Sequence, residues 1–285
     1  MSVTIQYVGS SGNSYDLKTD GLRLKEADFH AYEWSADTSS RQYGVKLSRF
    51  TRKAITYEAT LQFRGSYSTR RDLIEAIYED FETDIINQEP GRIYWGSCYI
   101  ECYATGHDTH PDDKNRYTER EVSFYCPYPF WIEETTIDIG TMDSATTTDT
   151  DKGYDSGYAY SYSYAASQTV RHITLNHYGL ATYKLVASGP TSGGVSVSID
   201  GELRTVNYDV ASGETLTIDT RPNLDSDKRI YVTASDGTTT NVFDYRDPDS
   251  AIFAKISPGT ISVDYSRSYP ITLTLYAERS EPRNG

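Results

Sequence analysis

Five residues in one stretch have the types that bind zinc: Cys98, Cys102, His107, His110 and Cys126. Their spacing argues against a shared metal. Cys98 and Cys102 fall on one expected strand, where four residues span ~13 Å. Ligands of one zinc must each lie within about 2.3 Å of the ion. Without a bulge the two sulfurs cannot meet on it, and buried structural thiols are the expected alternative. Paired carboxylates such as Asp112-Asp113 and Glu133-Glu134 carry little signal in so acidic a chain. The Asp/Thr/Gly content of 143–157 suits calcium by type but lacks the ordered spacing of a calcium loop. No nucleophile elbow, phosphate loop or His-Glu-x-x-His is present. The expectation is a chain without catalysis, cofactor or metal. One aromatic constellation stands out: Tyr158, Tyr160, Tyr162 and Tyr164 alternate along a strand-like segment. Rings on one strand face can stack on sugars, or they can pack one domain against another, which is the favoured use beside a linker.

The elements that position these groups are mostly strands. The exception begins near Arg70. Leu73, Ile74, Ile77, Tyr78, Phe81 and Ile85 form one stripe at a period near 3.6, with Asp72, Glu75, Glu79, Asp80 and Glu82 opposite. Thr69 and Asp72 form a candidate capping pair, and Pro90-Gly91 ends the segment. Arg70 and Arg71 sit in the first turn, where the helix dipole disfavours cations, which hints at a role elsewhere. Residues 92–96, 98–103 and 121–126 follow as strands. Upstream, Val3–Val8 alternates, and Tyr15–Leu24 is a candidate second strand. Residues 25–41 have no clean period. Val45–Thr51 and Ala54–Phe63 read as a strand pair around Thr51-Arg52-Lys53, with Ile55, Tyr57, Ala59, Leu61 and Phe63 on one face. His107–Arg120 reads as a long polar loop, a hairpin tip or an arm toward a neighbour. After Trp131 the composition turns to Asp, Ser, Thr and Gly. Short strands then run from Arg171 to Glu278, among them Ile252–Ile256, separated by turns such as Asp200-Gly201 and Asp236-Gly237. That spacing indicates an antiparallel sandwich without a helix. The expected domains are 1–140, a linker at 141–164, and 165–285.

The charge excludes other functions. Net charge is -14, from 27 Lys+Arg against 41 Asp+Glu, so nucleic acid or anionic membrane is not the main partner. Tyrosine is in excess, 26 residues against 8 Phe and 3 Trp, as in strands with one wet end. No segment approaches the ~20 apolar residues of a membrane span. Met1–Ser10 has neither the basic start nor the apolar core of a signal peptide, so folding in a cytoplasm is expected. Three cysteines do not suggest a disulfide framework.

Taken in order, several motifs carry a resemblance. They are the helix at Arg70-Arg71-Asp72-Leu73, the Pro90-Gly91-Arg92 turn, the strand Tyr99-Ile100-Glu101-Cys102-Tyr103, and the run from Phe124 to Trp131 through Pro127 and Pro129. Further on come Ser188-Gly189-Pro190, Ile218-Asp219-Thr220, Asn241-Val242-Phe243, Ile256-Ser257-Pro258-Gly259 and the closing Glu278–Arg283. Together they resemble the distal tail proteins of long, flexible-tailed bacteriophages. The resemblance implies a mainly β chain: an N-terminal β-sandwich with one α-helix and an extended belt hairpin, then a galectin-like antiparallel β-sandwich. It implies a structural virion protein, a homohexameric ring joining the tail tube protein to the tail-tip or baseplate hub protein. The ring would carry receptor-binding or fibre proteins and pass DNA through a central channel without specific binding. It also implies no membrane anchor, and assembly in the host cytoplasm. The unplaced segment 25–53 and the loop 107–120 are the candidate inter-subunit arms. Arg41, Arg49, Arg52, Lys53, Arg70 and Arg71 are the candidate interface residues. The alternative is a host-surface carbohydrate-binding protein acting through the C-terminal sandwich. A tail tube protein fits less well, because the second domain would decorate every ring.

Overall fold

Period-two alternation is clearest in Ile55–Arg64, where Tyr57, Ala59, Leu61 and Phe63 are all buried. We describe residues 3–109, 117–138, 169–175, 179–265 and 269–283 of the computed structural model. The chain is mainly β with one α-helix among the described residues. It divides into two units: Met1–Glu133 with Glu278–Gly285, and Glu134–Ala277.

The first unit contains β1 (Ile5–Val8), β2 (Ser14–Asp16), β3 (Leu22–Ala27), β4 (Ser35–Ser40), β5 (Val45–Thr51), β6 (Ile55–Arg64), α1 (Tyr67–Asn87), β7 (Gly91–Trp95), β8 (Cys98–Thr109), β9 (Tyr117–Cys126) and the start of β10 (Trp131–Asp138). One path of antiparallel pairing runs β2-β1-β7-β8-β10, and another joins β3, β6, β9 and β8. β8 serves both. Its first half pairs β7 (Ile93↔Ile100) and its second half pairs β9 (Tyr103↔Tyr125), with a bulge between Ala104 and Gly106. A bulge bends the strand and lets it change partners. Between the two arms of this sheet lies a core that includes Tyr7, Phe29, Tyr57, Ile77, Phe81, Phe124 and Trp131. Phe29 meets Tyr57 and Trp131 edge-on at ring distances of 5.6 and 5.9 Å, the geometry that ring quadrupoles favour.

The helix starts earlier than its spacing suggests. Ser66, not Thr69, is the N-cap, and its hydroxyl accepts the Thr69 N–H at 3.2 Å. Ile77 and Phe81 are buried as the stripe requires, but Ile85 is exposed and Asp84 takes the inward position beside them. The reason is a pair of donors on the sheet. Asp84 accepts the Ser10 N–H at 2.8 Å and the Tyr7 hydroxyl. One turn earlier, Asp80 accepts from Ser11, Asn13 and Tyr15 at 2.7, 3.1 and 2.5 Å. The helix is thus held by polar as well as apolar contacts. Gly91 sits against this cluster: any Cβ there would collide with the Asp84 carboxylate and the Tyr7 hydroxyl. Gly91→Ala is expected to cost about 1–3 kcal/mol through overpacking, read as a shift of the urea midpoint at constant m-value.

Two strand expectations in this unit are corrected. β5 does not pair β6; it pairs β4, and β6 lies between β3 and β9. Residues 107–120 are not all loop, since β8 runs to Thr109 and β9 starts at Tyr117. The tip, 110–116, lies outside the described residues.

The second unit holds the end of β10, β11 (Thr169–Leu175), β12 (Ala181–Ser188), β13 (Val195–Ile199), β14 (Glu202–Val206), β15 (Thr215–Asp219), β16 (Ile230–Thr233), β17 (Thr239–Asn241), β18 (Gly259–Tyr265) and most of β19 (Ile271–Arg279). Two antiparallel layers, β17-β16-β15-β12-β19 and β11-β18-β13-β14, enclose a core with Tyr183, Leu185, Val197, Ile218, Val263 and Leu273. Arg204 is buried within it. It donates to the carbonyls of Ile199 and Glu202 at 3.1 and 2.9 Å and lies 5.4 Å from the Tyr183 ring centre. Ile252–Ile256 is not a strand. Ile256 makes a single bridge to Ala181, and Ala254 closes a turn back to Ala251. The two isoleucines reach the core from a loop, which satisfies their burial without a strand.

Candidate functional site

Among the described residues, β4 and β5 form a hairpin that pairs with no other strand. Its register runs from Ser35↔Thr51 to Ser40↔Val45, with a bulge where Asp37↔Arg49 passes to Thr38↔Leu47. The turn is closed by Arg41 N–H donating to the Gly44 carbonyl at 3.1 Å, with Gly44 at φ 76°. That left-handed conformation suits glycine. Every residue from Ala36 to Phe50 is exposed. These include Tyr43 at 87%, Val45 at 65%, Leu47 at 47% and Phe50 at 58%. An isolated two-stranded hairpin is marginal in water. This one also leaves both edges unpaired and an apolar surface uncovered, features that mark a binding element.

The hairpin's root is fixed. Arg52, just past β5, lies over the rings of Tyr32, Trp34 and Phe130, 5.6, 5.7 and 5.0 Å from their centres. Its guanidinium also donates to the Ser280 carbonyl at 3.4 Å. Ser280 belongs to the C-terminal segment that rejoins this unit. That segment is pinned by the Tyr128 hydroxyl donating to Glu278 at 2.6 Å and by buried Arg279 pairing with Glu133. Burial, together with the hydrogen bond to Glu278, pushes the Tyr128 phenol well above its usual range, so the hydroxyl stays a donor. The result is a free arm on a clamped base.

The expected interface cations fall into two groups. Arg41 and Arg49 are on the arm and Lys53 is just beyond it, all exposed, while Arg52 is in the clamp. Arg49 forms an ion pair with Asp37 at 2.6 Å. Arg70 and Arg71 are at the start of α1, and they differ from each other. Arg71 is exposed and paired with Glu75 of its own helix at 2.7 Å. Arg70 is buried and lines a cavity of about 130 Å³ with Tyr67, Ile74, Thr118 and Arg120. Glu75 therefore meets the charge of Arg71 locally. What the sequence reading missed is the apolar half of the arm. Val45 and Leu47 alternate as on a buried strand, yet both are exposed.

Cys98, Cys102 and Cys126 are free and fully buried. Burial raises the Cys102 thiol far above its usual range, with the neighbouring Cys126 adding to the effect, so it behaves as a core thiol. No group of three or more potential metal ligands occurs among the described residues. His110 and the Tyr158, Tyr160, Tyr162 and Tyr164 ladder lie outside them.

No known family profile matches the chain, and no curated protein matches it. Solved structures do. The Dit protein (gp 19.1) of phage SPP1, described as a paradigm of the hub of the adsorption apparatus in phages infecting Gram-positive bacteria, superposes at a TM-score of 0.59 with 13% identity, over 98% of this chain and 100% of that one. A chain of the phage P2 baseplate in its activated conformation with Ca gives 0.63 at 11% identity, over 99% of this chain and 100% of that one. The same baseplate with Sr gives 0.63 at 10% identity, with the same coverage. Agreement along the whole length at such low identity means that the shared property is the arrangement of strands and helix, and this chain has the fold of the SPP1 Dit protein and of these P2 baseplate chains.

Proposed function

We propose that this chain is a structural, non-enzymatic component of a phage tail tip. Copies join through the β4–β5 arm into a closed hexameric ring at the end of the tail tube. The ring links the tube to the tip or baseplate and anchors receptor-binding or fibre proteins. DNA passes through its centre without being held, for which a net charge of -14 is suited. Arg41, Arg49 and Lys53 face the neighbouring copy, and Arg52 sets the arm's departure.

The observation that carries the reading is the arm: a paired, uncovered, partly apolar hairpin on a clamped root. A hairpin reaching from one copy to a different patch on the next is a head-to-tail contact, which closes into a ring when the rotation allows. The fold shared with the SPP1 Dit protein and the P2 baseplate chains supports the same location. The deciding experiment is native mass spectrometry of the purified full chain. A six-copy species is expected. A monomer at all accessible concentrations, even beside tail tube protein, would overturn the proposal.

A further inference from the structure

The arm has a charge as well as an apolar surface. Residues 35–51 carry one acid, Asp37, and three bases, Arg41, Lys46 and Arg49, in a chain whose balance is strongly acidic. A basic, apolar arm requires an acidic seat with an apolar end. One surface of the first unit has that composition. Along the outer face of α1, Asp72, Glu75, Glu79, Glu82 and Ile86 recur at intervals of three and four residues, and all five are exposed. Side chains at that spacing lie in one row. Glu75 is tied to Arg71, whereas Glu79 and Glu82 hold no ion pair among the described residues. Ile86, at 78% exposure, and the exposed Ile85 close the row with an apolar patch.

The dimensions agree. From Asp72 to Ile86 the helix rises ~21 Å, and β5 extends ~20 Å from Val45 to Thr51. Laid along the row, the arm can set Arg41 and Lys46, on the face opposite Val45 and Leu47, among Glu79 and Glu82 while Tyr43 of the turn covers Ile85 and Ile86. Both surfaces are exposed in the single copy. We infer that the outer face of α1 is the seat for the arm of a second copy of this chain, held by carboxylate–cation pairs around a small apolar contact. This deepens the ring reading and rests on it. On this reading the helix offers acids and the arm brings the bases.

Charge exchange in the full chain tests it. Arg41→Glu with Lys46→Glu, and separately Glu79→Lys with Glu82→Lys, should each raise the concentration at which rings dissociate by about tenfold or more. All four substitutions in one chain should restore assembly, because each arm then meets a reversed helix on its neighbour. The thermal midpoint of each dilute variant shows whether the fold is intact. If the helix reversal assembles normally while the arm reversal does not, the arm seats elsewhere; the inference fails and the ring reading stands. Weakening by both without rescue, or by neither, also overturns the pairing. An unsubstituted chain that forms no ring removes both proposals.

Discussion

Replacing Ala36–Phe50 by a short Gly-Ser link is expected to abolish assembly while leaving each copy folded. The arm contributes no residue to either core, and its side chains already face water. Its removal therefore deletes no buried contact. The root, with Trp34, Arg52 and Phe130, is retained. A thermal midpoint within a degree or two of the unsubstituted chain follows. Assembly should respond very differently. Covering Tyr43, Val45, Leu47 and Phe50 at a joint is worth about 1.5–3 kcal/mol for each large side chain fully buried, an upper bound because contact is partial. Even half of the total exceeds about 3 kcal/mol, more than a hundredfold in each association constant. In the proposed ring every copy contributes one arm and receives one, so the loss would repeat around it. The measurement is native mass spectrometry of the two chains side by side. A ring that persists without the arm would place the joint elsewhere. A chain that unfolds would show that the arm supports its own unit after all.

The parts legible in the sequence are those whose burial follows a simple period. β6 alternates because one face is core, and α1 shows its stripe because Phe81 meets Tyr7 and Phe124 and Ile77 joins the same core. The arm was opaque for the opposite reason. Ser35–Ser40 has no apolar face because both of its faces are wet, so β4 carried no period. With β4 unseen, β5 had only β6 beside it in sequence, and the pairing came out wrong. The C-terminal return was hidden as well. Glu278, Arg279 and Ser280 have the composition of a solvated end, yet Arg279 is buried against Glu133 and Ser280 caps the Arg52 clamp. Partners more than a hundred residues apart leave no local pattern. Asp84 was illegible in the same way: a carboxylate on the inner face of a helix reads as an error in the stripe until its donors, Tyr7 and Ser10, are placed opposite it.

That carboxylate carries the second large effect. Asp84 is 1% exposed and Tyr7 is equally buried. Burial, then the hydrogen bond to Asp84, raises the Tyr7 phenol far above its usual range, so it remains a donor. Asp84→Ala leaves the Tyr7 hydroxyl and the Ser10 N–H without their acceptor. Each loss costs about 1–3 kcal/mol, and the first unit should lose about 3–5 kcal/mol in all. Tyr7→Phe removes only one donor to a charged group, and about 1.5–3 kcal/mol is expected. Because the two share one bond, the double variant should cost less than the sum of the single ones, by about 1–2 kcal/mol. Urea unfolding gives these values, and hydrogen exchange locates them: the α1 amides should lose protection first, since the contacts that hold the helix to β1 are weakened. A cost below about 1 kcal/mol for Asp84→Ala would show that the Asp84 hydrogen bonds do not hold the helix. The same variant links stability to assembly. If the outer row of α1 is the seat for a neighbour's arm, loosening the inner face must weaken the ring at temperatures where the rest of the chain remains folded.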